Sequence, residues 1–171
     1  MTGSKVESML RRVVLLVWLS SFLVGSWTGV AISQCGAQSR ILLCFGDSLT
    51  AGYGLAKPQA FPALLQQKIY AKAWNFKMIN AGLSGQTSAG GLRRIDWLLR
   101  QRVDVLLFEL GVNDGFRGID PKTIYGNLQG IIDRTRKKYP HVAIIVAGML
   151  VPPNLGRDNA ARFRNVFARL A

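Results

Sequence analysis

Histidine is almost missing from this chain: among 171 residues His141 is the only one. Chemistry that needs an imidazole base therefore has one candidate, and that candidate follows Lys137-Lys138-Tyr139-Pro140 at the entrance to a predicted strand. Acid is scarce too, with nine Asp and Glu against 22 Lys and Arg and a formal net charge of +13. Cysteine is limited to Cys35 and Cys44, one on a tail and one inside a predicted strand, so a disulfide framework is not expected. Lipid modification of Cys35 is disfavoured as well, because Gln34 is too large and polar for the residue that should precede it. No internal repeat and no low-complexity stretch interrupts the chain.

The basic excess raises the question of a polyanionic partner. Position answers against nucleic acid. Arg93, Arg94, Arg100 and Arg102 lie on or beside one predicted helix, Arg134, Arg136, Lys137 and Lys138 end another, and Arg157, Arg162, Arg164 and Arg169 punctuate the last. These are solvated helix faces and helix C-termini, where the dipole favours cations. The first residues read differently. Lys5, Arg11 and Arg12 precede a stretch without charge from Val13 through Ser39, strongly apolar from Val13 to Val24. This is the composition of an export signal. Gly29-Val30-Ala31 supplies a small-x-small cleavage pattern, whereas Val13 to Ser33, if uncleaved, is long enough to anchor the chain across a bilayer core of ~30 Å. Residues 1–39 are thus expected to be a signal peptide or membrane anchor with a short tail, and residues 40–171 a single globular domain.

Within that domain short apolar runs alternate with segments of helical period. Ile41 to Phe45, Phe76 to Asn80, Val103 to Leu110 and Val142 to Ala147 read as strands. Phe61 to Ala73, Leu92 to Arg102, a segment opened by Pro121, and Ala160 to Leu170 read as helices. Such alternation implies an α/β fold whose parallel sheet is covered on both faces. In these sheets the chemistry sits beyond the carboxyl ends of the strands. Ser48, Ser84-Gly85 and Asn113 each follow the end of one of the first three strands, so one rim collects all three.

A serine hydroxyl needs a base for its proton and donors for the oxyanion that its attack creates. Ser48 lies between a strand and the glycines Gly46, Gly52 and Gly54, where a tight turn exposes its side chain. Gly85 presents its N–H with no side chain in the way, and Asn113 offers a side-chain amide. Each signal is weak alone; their joint occurrence in this order is informative. Paired as a metal site, Asp47 and Asp114 would lack the further ligands a metal needs.

Gly46-Asp47-Ser48-Leu49-Thr50-Ala51-Gly52-Tyr53-Gly54, Ser84-Gly85-Gln86-Thr87-Ser88 and Glu109-Leu110-Gly111-Val112-Asn113-Asp114-Gly115-Phe116-Arg117-Gly118 resemble three of the four sequence blocks of the SGNH, or GDSL, hydrolases, in particular the bacterial thioesterase I, lysophospholipase and arylesterase branch. The resemblance runs from Ile41 to Ala171. It implies a flavodoxin-like three-layer α/β/α fold with strand order 2-1-3-4-5, Ser48 as nucleophile, and the N–H of Ser48, the N–H of Gly85 and the side chain of Asn113 as oxyanion hole. It further implies hydrolysis of small esters, thioesters or lysophospholipids through an acyl-enzyme, without metal or organic cofactor; the leader makes an exported, periplasmic or secreted protein the expectation.

One block is not matched. The family's fourth block is an Asp-x-x-His after a fifth strand, and nothing in these 171 residues corresponds to it. The chain is therefore expected to lack the last strand and helix of its family, to leave Val142 to Ala147 as an uncovered apolar edge, and to turn over esters weakly or not at all as it stands. The alternative expectation is a catalytically dead relative that only binds acyl or glycan ligands.

Overall fold

The computed structural model describes residues 38–152 and 156–170. The expected leader, Cys35 and residues 153–155 lie outside the described residues. The elements run β1 (Arg40–Gly46), α1 (Ser48–Ala51), a 3-10 turn (Lys57–Gln59), α2 (Phe61–Ala71), β2 (Phe76–Asn80), α3 (Ser88–Leu98), β3 (Val105–Glu109), α4 (Val112–Phe116), α5 (Pro121–Lys138), β4 (Ala143–Val146) and α6 (Arg157–Leu170). The four strands form one sheet in the order β2-β1-β3-β4, and every pair is parallel.

The central strand shows why the sheet is covered twice. Leu43 and Phe45 point to one face, Leu42 and Cys44 to the other, by the alternation of a strand, and all four are buried. On the first face they meet Ile95 and Leu98 of α3, Ile124, Leu128 and Ile131 of α5, and Phe163 and Phe167 of α6. On the second they meet Ile69, with Phe61 and Leu65, from α2. Three layers result, as the alternating pattern predicts.

Strand and helix ends shift from expectation by a residue or more, and the largest shifts are in two helices. Helix α3 starts at Ser88 rather than Leu92 and ends at Leu98 rather than Arg102, because the Thr87 side chain caps it by accepting the Gly90 N–H at 3.2 Å. The Gly90-Gly91 pair argues against helix on propensity alone, yet a Cβ on Gly91 would stand 2.7 Å from Leu110 Cδ1. Close packing on β3 overrides propensity there. Likewise α6 begins at Arg157, ahead of Ala160. The short helices α1 and α4 have too few residues to show a period, and the sequence gives no separate signal for them.

The two margins of the sheet are finished differently. At β2 the Gln66 side chain takes the place of a neighbouring strand: its Oε1 accepts from Met78 N–H at 2.6 Å and its Nε2 donates to the Phe76 carbonyl at 3.2 Å. At β4 no strand follows among the described residues, and Ala143 and Ile145 are exposed, Ile145 by 49%. An apolar margin of this kind invites edge-to-edge pairing. The substitution Ile145→Lys is expected to lower the concentration-dependent association of the 171-residue protein, read by light scattering; association unchanged by the lysine would place the contact elsewhere.

Candidate active site

The Ser48 turn is built at the end of β1. A Cβ on Gly46 would lie 1.9 Å from Thr50 Oγ1 and 2.8 Å from the Glu109 carbonyl, so only glycine lets the chain fold back this tightly. Asp47 caps the following turn by accepting the Leu49 N–H at 3.0 Å, which places Ser48 as the first residue of α1, half-buried at the rim. Gly52 then ends the turn in the left-handed region at φ +78°, where glycine is favoured.

The second turn is fastened directly onto the first. Leu83 N–H donates to the Gly46 carbonyl at 3.0 Å, and Asn80 Nδ2 donates to the Thr50 carbonyl at 2.9 Å while its Oδ1 accepts from Gly82 N–H. A Cβ on Gly82 would stand 2.2 Å from Ala51 N. The two turns are thus in backbone contact. Gly85, exposed at the crest, has φ +76° and open space around it; conformation, not crowding, calls for glycine there.

Asn113, in α4 just past β3, closes the assembly. Its Nδ2 donates to Asp47 Oδ2 at 3.2 Å and to the Gln86 carbonyl at 3.0 Å. One amide thereby joins the turn of Ser48 to the turn of Gly85. The neighbouring Asp114, buried, accepts from both the N–H and the hydroxyl of Ser88 at 2.7 Å each, and Asn127 Nδ2 of α5 donates to the same hydroxyl at 2.9 Å. Asp47 and Asp114 are therefore structural acceptors that lock loops together, and among the described residues no group of three or more His, Cys, Asp and Glu side chains converges as a metal site would.

Glu109 is a residue of this site to which sequence reading assigns no role. It ends β3 opposite Gly46, is 6% exposed, and accepts the Thr50 hydroxyl on Oε2 at 2.8 Å. Its Oε1 is buried and, among the described residues, has no hydrogen-bond partner. Burial, together with the nearby charge of Asp47, pushes its pKa up from 4.5 to about 7, against the opposing hydrogen bond from Thr50. Burial also raises Asp47, while hydrogen bonds from Leu49 N–H, the Ser48 hydroxyl and Asn113 favour its carboxylate. The sequence signal for Glu109 is a single carboxylate near the end of the apolar run Val103 to Leu110.

His141 is exposed, in a hollow with Arg102, Asp104 and Tyr139 at the amino ends of β3 and β4. Because the sheet is parallel, Ser48 and Asn113 lie at its other end, beyond a strand length on the order of 15 Å. The sequence expectation that His141 is a strand-start residue and not a base agrees with this placement.

Glu109 also fixes the pH dependence of stability. Its carboxyl ionises at 4.5 when unfolded and at about 7 when folded, so the folded chain binds this proton more tightly. The stability conferred is complete below the unfolded pKa and is lost as pH rises through the folded one. The wild-type melting temperature is expected to fall from about pH 5 to about pH 8 more steeply than that of Glu109→Gln, which keeps the Thr50 contact without a charge. Parallel profiles in scanning calorimetry would show that the carboxyl does not titrate in this range.

The same three-layer frame and rim recur in known proteins. The model of the GDSL-like lipase/acylhydrolase family matches residues 44–171. An arylesterase of Vibrio mimicus is 36% identical over 141 residues, which are 82% of this chain and 70% of that protein. Esterase TesA of Pseudomonas aeruginosa is 36% identical over 136 residues, 79% of this chain and 67% of that protein. The crystal structure of AlinE4, an SGNH-hydrolase family esterase, superposes with a TM-score of 0.74 at 40% identity, covering 78% of this chain and 71% of AlinE4. The chain spans about two thirds of its curated relatives, and with three turns joined at one rim as described, it belongs to the GDSL-like lipase/acylhydrolase family of ester hydrolases.

Proposed function

We propose that the domain from residue 40 onward is a serine hydrolase that cleaves carboxylic esters or thioesters through an acyl-enzyme on Ser48. The observation that carries this reading is the Asn113 amide, bonded at once to Asp47 and to the Gln86 carbonyl, because it sets the nucleophile and the Gly85 turn in one fixed relation. Preorganised donors stabilise charge as it develops without having to reorient. In the proposed reaction the Ser48 oxygen attacks the ester carbonyl, and the N–H groups of Ser48 and Gly85 with the Asn113 amide receive the oxyanion. Of the two Asn113 contacts, the one to Asp47 is the longer and is the one the oxyanion would share.

Proton removal from Ser48 is the step these residues serve least. Asp47, which accepts the resting hydroxyl, is already committed to Leu49 and Asn113, and His141 faces the other end of the sheet. The 171 residues by themselves are therefore proposed to turn over esters slowly. In serine proteases, removal of the triad still leaves about 10³ to 10⁴ over water from the oxyanion hole and binding. The apolar segment after Arg12 supports export of the protein, with cleavage or anchoring as its two outcomes, and fractionation of its native cells would show the domain outside the cytoplasm if this is right.

The test is turnover of p-nitrophenyl butyrate with and without added imidazole. Once the hydrolysis that imidazole causes without protein is subtracted, wild-type rates should still rise with imidazole, and Ser48→Ala should remove that protein-dependent increment. Covalent labelling by a fluorophosphonate should map to Ser48. Hydrolysis or labelling that survives Ser48→Ala would overturn the assignment. Asn113→Ala should lower the rate by about 10²- to 10³-fold, the effect of losing one oxyanion donor, in a protein whose melting temperature shows it still folded.

A further inference from the structure

On the outer side of the Gly85 turn lies an open hollow of about 500 Å³, whose wall includes Ser84, Gly85, Thr87, Arg93, Arg94 and Arg117. Its three guanidinium groups come from two separate places, α3 for Arg93 and Arg94 and the end of α4 for Arg117. Arg94 is held in place: its Nη2 donates to the Ala81 carbonyl at 2.6 Å and to Gln86 Oε1, and its guanidinium lies over the Phe45 ring at 5.0 Å. Arg93 and Arg117 are exposed, and among the described residues neither has an ion-pair partner. Among the described residues no carboxylate lines the hollow. The amino end of α3, capped by Thr87, opens onto the same wall and adds the positive end of an 11-residue helix;.

Like charges gathered without a counter-charge repel one another, and the arrangement is satisfied when an anion joins it. Guanidinium groups match the oxygens of a phosphate through paired, charge-assisted hydrogen bonds. Leu83, 50% exposed on the same wall, adds an apolar contact beside the charges. We propose that this hollow binds the phosphate of a phosphate-bearing ester, with Arg93 and Arg117 as its ligands and Arg94 as a fixed background charge. The inference rests on the Ser48 reading for what the phosphate is attached to: Gly85, whose N–H the proposed reaction uses, also lines the hollow. A subsite of this kind discriminates phosphate-bearing substrates from neutral aryl or alkyl esters.

Calorimetric titration at low salt with hexyl phosphate, inorganic phosphate and hexanol tests this without any turnover. Hexyl phosphate should bind wild type and Ser48→Ala alike, and Arg93→Gln and Arg117→Gln should each weaken it about tenfold, as expected for loss of one charged hydrogen bond. Arg100→Gln, a charge change just past the same helix, should leave binding unchanged. Binding that is insensitive to Arg93→Gln and Arg117→Gln, or equally sensitive to Arg100→Gln, would overturn the proposal. Inorganic phosphate binding as tightly as hexyl phosphate would overturn the ester part and leave a free-anion site. Phosphate binding with no covalent labelling of Ser48 would refute the hydrolase reading while sustaining the subsite.

Discussion

The site depends on one side-chain amide. Three loops leave three adjacent parallel strands at the same rim, and nothing in a parallel sheet by itself sets the distance between loops that follow different strands. Asn113 sets it, by donating to Asp47 on one side and to the Gln86 carbonyl on the other. Other contacts serve that bond. Asp114 anchors the start of α3 through Ser88, and Asn127 ties Ser88 in turn to α5, so the Gln86 carbonyl has a rigid support behind it. Glycine at positions 46 and 82 lets the backbones approach closely enough for the bond to form.

The same rim concentrates buried carboxylates, which is costly in a low-dielectric setting. Asp114 is satisfied by two donors from Ser88. Asp47 is satisfied by Leu49 N–H, Ser48 and Asn113. Glu109 is the exception, with one oxygen held by Thr50 and the other, among the described residues, without a partner. Burial first, and then the nearby charge of Asp47, favour the protonated form of Glu109. Asp47 accepts the Asn113 amide, while Glu109, its pKa pushed up to about 7, holds the back of the Ser48 turn through Thr50.

Much of this is readable from the residues in order. The run Leu42 to Phe45 marks a strand buried on both faces, and the alternation that follows gives the layers and the rim. Ser48, Gly85 and Asn113 stand out because each follows a strand end. What could not be read is contact at long range. Nothing in the sequence pairs Asn113 with Asp47 or Gln66 with Met78, since these residues are 66 and 12 positions apart and meet only once the sheet forms. Propensity penalises Gly90-Gly91 and so points to a later start for α3, whereas the packing of Gly91 against Leu110 requires a residue without a side chain;. The arginines look like an ordinary solvated face until Arg117 is brought beside Arg93 by the fold.

The Gln66 amide gives the sheet a direction. One margin is already sealed by a side chain that mimics a strand, so any segment added there would first have to displace two hydrogen bonds. The other margin, along β4, asks for no such displacement. Among the described residues the sheet is therefore asymmetric, its β2 margin closed by a side chain and its β4 margin bordered by no such amide.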